Sequence, residues 1–188
     1  MIEELIKKNR SYRRFYEEKS IDRETIVGLI DLARMSASSA NLQPLKYIIS
    51  CDKSTNEKIF PDLRWAGYLK DWGGPAEGER PSAYIIVLND SEISKGFDCD
   101  RGIAAQSILL GAAEKGIGGC MIDSVNRESL RVSLRIPDRY VIAMVLALGY
   151  PSETVVMEDV VDDDIRYYRD AADVHHVPKR TLSEIILS

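Results

Sequence analysis

The chain has 188 residues, 45% apolar and 29% charged, which suits one globular domain with a sizeable core. Its longest apolar run, residues 140–148, is far short of the roughly 20 residues a spanning helix needs. The first fifteen residues are charged and lack a signal-peptide core, so no membrane role and a cytoplasmic setting are expected.

Residues 2–6 carry Ile2, Leu5 and Ile6 at the i, i+3, i+4 spacing of a short helix, which runs into a basic cluster: Lys7, Lys8, Arg10, Arg13 and Arg14, with no acid among them. Asp22 is placed to cap a second helix, with Ile21 and Ile26 as its hydrophobic staple and Ile26, Leu29, Ile30 and Ala33 as its buried face. Small polar residues fill 36–41, and Pro44 forbids helix there. Residues 47–51 read as a strand and 53–59 as a helix. Residues 61–81 hold Trp65, Tyr68 and Trp72 around a Gly-Gly-Pro break. They fit either a flap over a pocket or a packed surface excursion.

Residues 83–88 form a strand buried on both faces. Residues 100–115 are predicted to be the longest helix, stopped by Gly116. A strand over 118–123 follows, then a helix from the Asn126 cap to about residue 134, then the strongest strand at 140–148. Six acids and no base lie within 152–164, which leaves the remainder of a −5 chain at +1. That segment is expected to be a solvated acidic loop. Residues 165–169 suggest a short strand, and the apolar run 182–187 has no obvious core to join, so a partner chain is expected to cover it. The elements mix without strict alternation or internal repeat, which gives a single α+β layered domain over 1–188.

Several chemistries are excluded. Cys51, Cys99 and Cys120 are widely spaced, without the pairs of a zinc site or disulfide framework; Cys51 and Cys120 are expected to be buried free thiols. His175 and His176 are adjacent and point to opposite sides of an extended segment, so they do not suit one metal. No metal site is expected. The basic residues are terminal and not interleaved with aromatics, which argues against nucleic acid. No dinucleotide fingerprint, P-loop or nucleophile elbow is present. Residues 116–119 are Gly-rich but follow a helix, so the dipole there has the wrong sign for an anion.

What remains is basic character at both ends. Arg10-Ser11-Tyr12-Arg13-Arg14-Phe15 and Val177-Pro178-Lys179-Arg180-Thr181 offer guanidinium forks, a hydroxyl and an ammonium. These are the groups that grip a phosphate monoester if the two ends converge. Taken alone, Arg10, Arg13 and Arg14 equally fit a solvated helix terminus, and Ser38, Ser39 and Asn41 fit a plain turn before a strand.

The motifs occur in an order that resembles the nitroreductase family of flavin mononucleotide (FMN) enzymes. Residues 10–15 are similar to its R-S-x-R-x-[FY] motif and residues 36–44 to its S-x-S-x-x-N-x-Q-P loop. Residues 105–118 resemble its central helix and turn, and residues 177–180 its C-terminal phosphate clasp. The resemblance implies a nitroreductase-like fold, a central mixed or antiparallel sheet flanked by helices. It also implies an intertwined homodimer with FMN at the interface. Arg10, Ser11, Lys179 and Arg180 would then hold the phosphate, and Arg13 would lie by the flavin N1/O2 edge. Ser38, Ser39 and Asn41 would reach the flavin from the partner, and Asp123 and Ser124 would contact N5 and O4 through the backbone. The implied activity is ping-pong hydride transfer from NAD(P)H to an electron-poor small molecule such as a nitroaromatic or quinone. No side-chain catalytic residue is implied. A flavin-binding protein without turnover, or a member that removes halogen or breaks flavin, would carry the same anchor.

Overall fold

The two most apolar runs of the sequence lie side by side at the centre of the molecule. A computed structural model describes residues 1–96 and 98–187. In it, β2 (Ala83–Asp90) pairs antiparallel with β4 (Tyr140–Gly149), setting Ile85 opposite Leu146 and Ile86 opposite Val145. Strands β1 (Leu45–Ser50) and β3 (Gly118–Ile122) add at the two edges, giving a four-stranded antiparallel sheet in the order β1-β2-β4-β3.

Every residue of β2 is buried because both faces of the sheet are covered. Side chains alternate between faces along a strand. Ile85 and Val87 accordingly pack with Leu29 of α2 (Arg23–Arg34) and Ile108 of α4 (Asp98–Glu114). Tyr84, Ile86 and Leu88 pack on the other side with Ile59 of α3 (Lys53–Ile59) and Leu130 of α5 (Arg127–Leu134). The result is three layers, helix on sheet on helix. Local chemistry sets the helix starts. The carboxylate of Asp22 accepts the Thr25 N–H at 2.7 Å, Asp52 accepts that of Thr55 at 2.9 Å, and Asn126 accepts that of Ser129 at 3.3 Å.

The N-terminal segment after α1 (Ile2–Lys8) runs along the free edge of β3. Ser11 bridges Gly119 in parallel, the Tyr12 N–H donates to the Gly119 carbonyl at 3.0 Å, and Phe15 is fully buried beside Pro151. Gly118 and Gly119 permit this approach. A Cβ on Gly118 would lie 2.5 Å from the Tyr12 ring, and one on Gly119 would lie 2.9 Å from the Ala147 carbonyl oxygen.

Three expectations are corrected. The acidic segment 152–164 is not all loop, since it contains β5 (Val155–Asp159). This strand pairs in parallel with β7 (His175–Lys179), which also pairs with β6 (Tyr168–Arg169) to make a second, three-stranded sheet. The strand expected over 165–169 is reduced to β6. Within residues 61–81, for which the sequence leaves two readings open, Leu63 bridges Val125 and Trp65 is buried in the core beneath Gly74. Of the thiols, Cys120 is buried as expected, while Cys51 is half-buried and Cys99 exposed. No described helix is long and apolar enough to cross a membrane.

The packing around the glycines gives a paired expectation. Gly119→Ala forces a methyl against Leu109, Leu148 and a backbone oxygen, and should cost about 1–3 kcal/mol. Gly28→Ala on α2 meets nothing within 4 Å and should stabilise by up to about 1 kcal/mol through helix propensity. Urea titration of both variants checks the opposite signs.

Candidate active site

Alternation along β7 decides which C-terminal side chains meet the N-terminal segment. His175, Val177 and Lys179 share one side of the strand. They face Asn9, Arg10, Ser11 and Arg13 across an open cleft of about 240 Å³ that Tyr167 closes at one end. A second cleft of about 180 Å³ shares Arg13 and Tyr167 with the first. Its walls are Arg64 to Gly67 on one side and Cys120 to Ser124 on the other. Arg13 is 9% exposed and stands at the junction of the two.

Arg13 is held there by its backbone and its side chain. The Arg13 and Arg14 N–H groups both donate to the Glu153 carboxylate, the second at 3.0 Å. The Glu153 side chain is 2% exposed, and its other oxygen accepts from Arg169 Nη2 at 2.6 Å. The Arg13 guanidinium donates to the Ser11 carbonyl at 3.2 Å, contacts His175 Nε2 at 3.2 Å and lies 4.8 Å over the Tyr167 ring.

Most cations of the two chain ends are neutralised. Arg14 pairs with Asp173 and Glu79, Arg169 with Glu153 and Asp173, and Arg166 with Asp164. Arg180 pairs with Asp163 at 2.7 Å and Glu184 at 3.2 Å. Among the described residues, Lys8, Arg10, Arg13 and Lys179 have no carboxylate within ion-pair distance, and the last three of these line the basic cleft. Among the described residues, the Arg10 guanidinium bonds to the Ile6 carbonyl at 2.6 Å and the Met157 sulfur at 2.8 Å, and its buried Nε has no partner. Clustered cations without counter-charges favour an anionic ligand with several acceptor oxygens.

The remaining expected residues are distributed as follows. Asp123 and Ser124 line the second cleft, but the Asp123 carboxylate is taken by Arg127 at 2.7 Å and Arg101 at 3.2 Å. The Ser124 carbonyl accepts the Arg64 N–H at 2.9 Å, which ties the two walls together. Arg180 does not line the cleft, because it follows the end of β7 and turns toward Asp163. Ser38, Ser39 and Asn41 line neither cleft. The Ser38 hydroxyl donates to Asp100 at 2.6 Å and accepts the Gln43 N–H at 2.9 Å, and the Ser39 N–H donates to Asp100 at 2.8 Å. Ala40, Asn41 and Gln43 hold φ near +50° (47°, 55° and 52°), so this loop is fixed in a shape that side-chain-bearing residues seldom adopt.

The sequence reading did not identify Asn9, Tyr167, His175, Glu153 or Arg64. Period-two alternation back from Lys179 would have found His175. Nothing local marks the others.

The adjacent histidines are in opposite electrostatic settings. His176 bonds Glu158 at 2.8 Å and Asp170 at 3.3 Å, and these carboxylates raise its pKa. His175 is 1% exposed. Burial, with Arg13, Arg169, His176 and Arg14 nearby, holds it down at about 4, so it is neutral.

An antiparallel sheet between two helical layers is the architecture this chain shares with solved proteins of the nitroreductase family. A nitroreductase family protein of Streptococcus pneumoniae TIGR4 superposes with a TM-score of 0.71 at 17% identity over 100% of both chains. A protein of Clostridium difficile R20291 described as an FMN-dependent nitroreductase gives 0.65 at 23% identity, over 85% of this chain and 91% of its own. A relative from Methanothermobacter thermautotrophicus, provisionally named NADH dehydrogenase/NAD(P)H nitroreductase, is 32% identical over 172 residues, 86% of this chain and 83% of its own. The nitroreductase family model matches residues 6–150. The chain belongs to the nitroreductase family and is an oxidoreductase of that family. The match ends before β5, so Glu153, Tyr167, His175 and Lys179 lie outside it.

Two measurements test this electrostatic arrangement. Glu153→Ala strips a buried guanidinium and two amides of their acceptor and should cost about 3–5 kcal/mol in urea unfolding. For His175 the folded pKa lies below the unfolded value of 6.5. Its contribution is therefore fully present above pH 6.5 and is lost as pH falls toward about 4, at most about 3 kcal/mol. Comparing urea midpoints at about pH 7 and about pH 4.5, the wild type should lose more than His175→Phe. Equal losses would show that His175 is not the titrating group.

Proposed function

We propose that the chain binds FMN and acts as an NAD(P)H-dependent oxidoreductase on an electron-poor acceptor such as a nitroaromatic or quinone, by a ping-pong sequence. The observation that carries this reading is the set of three uncompensated cations, Arg10, Arg13 and Lys179, in a cleft that opens into a second, partly apolar one. A phosphate ester joined to a flat ring system requires such a pair of spaces. The donor set fits the group: guanidinium forks and an ammonium suit phosphate oxygens, and the partnerless Nε of Arg10 is a donor still to be satisfied.

Arg10, Ser11 and Lys179 are assigned to the phosphate, and Arg13 to the pyrimidine edge of the ring. Asp123 and Ser124 would meet the ring through their backbone, since the Asp123 carboxylate is committed to two arginines. Arg180 is reassigned to holding the acidic segment. Ser38, Ser39 and Asn41 would serve the partner's site in a homodimer. Exposed Ile2, Ile6, Leu182, Ile185, Ile186 and Leu187 support that assembly, because this much unpartnered apolar surface at the two termini favours burial against another subunit.

When bound, the flavin supplies the centre that takes hydride from a nicotinamide and passes electrons on. The chain's own part is electrostatic and geometric. Arg13 fixes a positive charge where negative charge builds on reduction. Tyr167 lines both clefts and is backed by Tyr68, their ring centroids 4.9 Å apart.

The purified protein should carry yellow flavin, or take up FMN and then oxidise NADH or NADPH with bleaching of the flavin band. Colourless protein unaffected by added FMN would refute the assignment. Lys179→Ala should weaken FMN about tenfold or more, the loss of a charge-assisted bond of about 1.5–3 kcal/mol. Arg180→Ala should leave affinity within about threefold, and the reverse order would restore Arg180 to the clasp.

A further inference from the structure

We infer that His175 is a positioning residue that fixes the Arg13 guanidinium for the bound flavin. This deepens the flavin reading above and rests on it. Arg13 has only donors to offer, so the contact at 3.2 Å makes His175 Nε2 the acceptor and places the ring proton on Nδ1. That Nδ1 is buried without a partner. A phenylalanine would fill similar space and leave no unsatisfied N–H, so packing alone does not account for an imidazole here.

The imidazole has a definite effect on its neighbour. Arg13 sits at the junction of two clefts, and the direction its free N–H groups take depends on how the guanidinium plane is held. Four contacts hold it: the Ser11 carbonyl and His175 Nε2 along its edge, the Cys120 sulfur beside it, and the Tyr167 ring beneath its face. Tyr167 packs in turn on His175, with centroids 5.4 Å apart. Of these, His175 supplies the nitrogen acceptor, and it can do so only while neutral. The groups facing it are Arg13 and Arg14 from the N-terminal segment, Arg169 from β6, and His176 on its own strand. All disfavour the imidazolium.

A double-mutant cycle on FMN affinity tests this without any turnover measurement. FMN dissociation constants from flavin fluorescence would be measured for wild type, His175→Phe, Arg13→Leu and the double variant. Flavin midpoint potentials would be measured for the first two, with melting curves to confirm folding. His175→Phe should weaken FMN about tenfold in the wild type and less than about twofold beside Arg13→Leu, because its effect passes through the arginine. Its midpoint potential should fall by about 30 mV, the equivalent of a tenfold loss of preference for the reduced cofactor. His175→Gln, which offers a neutral acceptor near the Nε2 position, should bind more tightly than His175→Asn, whose acceptor lies nearer Nδ1. That comparison also stands if His175→Phe fails to fold.

Equal losses in the two Arg13 backgrounds, or Asn matching Gln, would overturn the positioning role while leaving the flavin site intact. A wild-type chain that takes up no FMN would overturn the flavin reading and this one together.

Discussion

The carboxylate of Glu153 keeps the two ends of the chain together. It is nearly inaccessible, and it accepts two consecutive backbone N–H groups from the N-terminal segment and one guanidinium N–H from β6. Desolvating a carboxylate is costly, and the cost is offset only where the geometry satisfies its oxygens. Here three charge-assisted bonds converge on it. Because backbone groups are bound, the position of the Arg13 and Arg14 main chain is fixed, and their side chains then diverge. Arg14 turns toward Asp173, Glu79 and the Trp72 ring, whereas Arg13 turns into the cleft. The divergence of an ion-paired arginine from a cleft-lining one at adjacent positions follows from this one anchor.

The acidic segment then has a role that its composition conceals. Glu153, Glu158, Asp163 and Asp164 each take a basic group from the C-terminal third: Arg169, His176, Arg180 and Arg166 respectively. The segment acts less as a solvated loop than as a set of counter-charges that leaves Arg10, Arg13 and Lys179 uncompensated. A cleft with every cation free would bind anions with little discrimination. Pairing most of them concentrates the positive charge of the basic cleft on Arg10, Arg13 and Lys179, while Arg64 adds a cation on the wall of the adjoining one.

The layered α+β core was legible because its signals are local. Asp22 and Asn126 cap where short polar side chains favour capping, and the runs at 83–88 and 140–148 are too apolar to sit anywhere but the centre. The opposed histidines followed from strand geometry. The misreadings involve contacts distant in sequence. Val155, Val156 and Met157 have strand character, but their parallel partner lies twenty residues on, so the surrounding acids dominated the reading. Lys179 and Arg180 are chemically similar, and only the end of β7 separates the residue in the cleft from the one paired with Asp163. Glu153 looked like one acid among six, because burial is a property of what packs on it.

The loop at 36–44 shows the same boundary from the other side. Its small polar residues suggested a ligand-facing turn, yet within one chain they are used on Asp100, a buried acid of α4. Ser38 spends both hydrogen-bonding directions on Asp100 and Gln43, so its side chain supports the loop. What the loop presents outward is exposed Ser39 and Asn41 on backbone held in the left-handed region at three non-glycine residues. Strain of that kind persists only where surrounding contacts enforce it. A loop that merely linked α2 to β1 would not need it. Rigid presentation of two polar side chains away from the chain's own cleft is what the proposed homodimer would use.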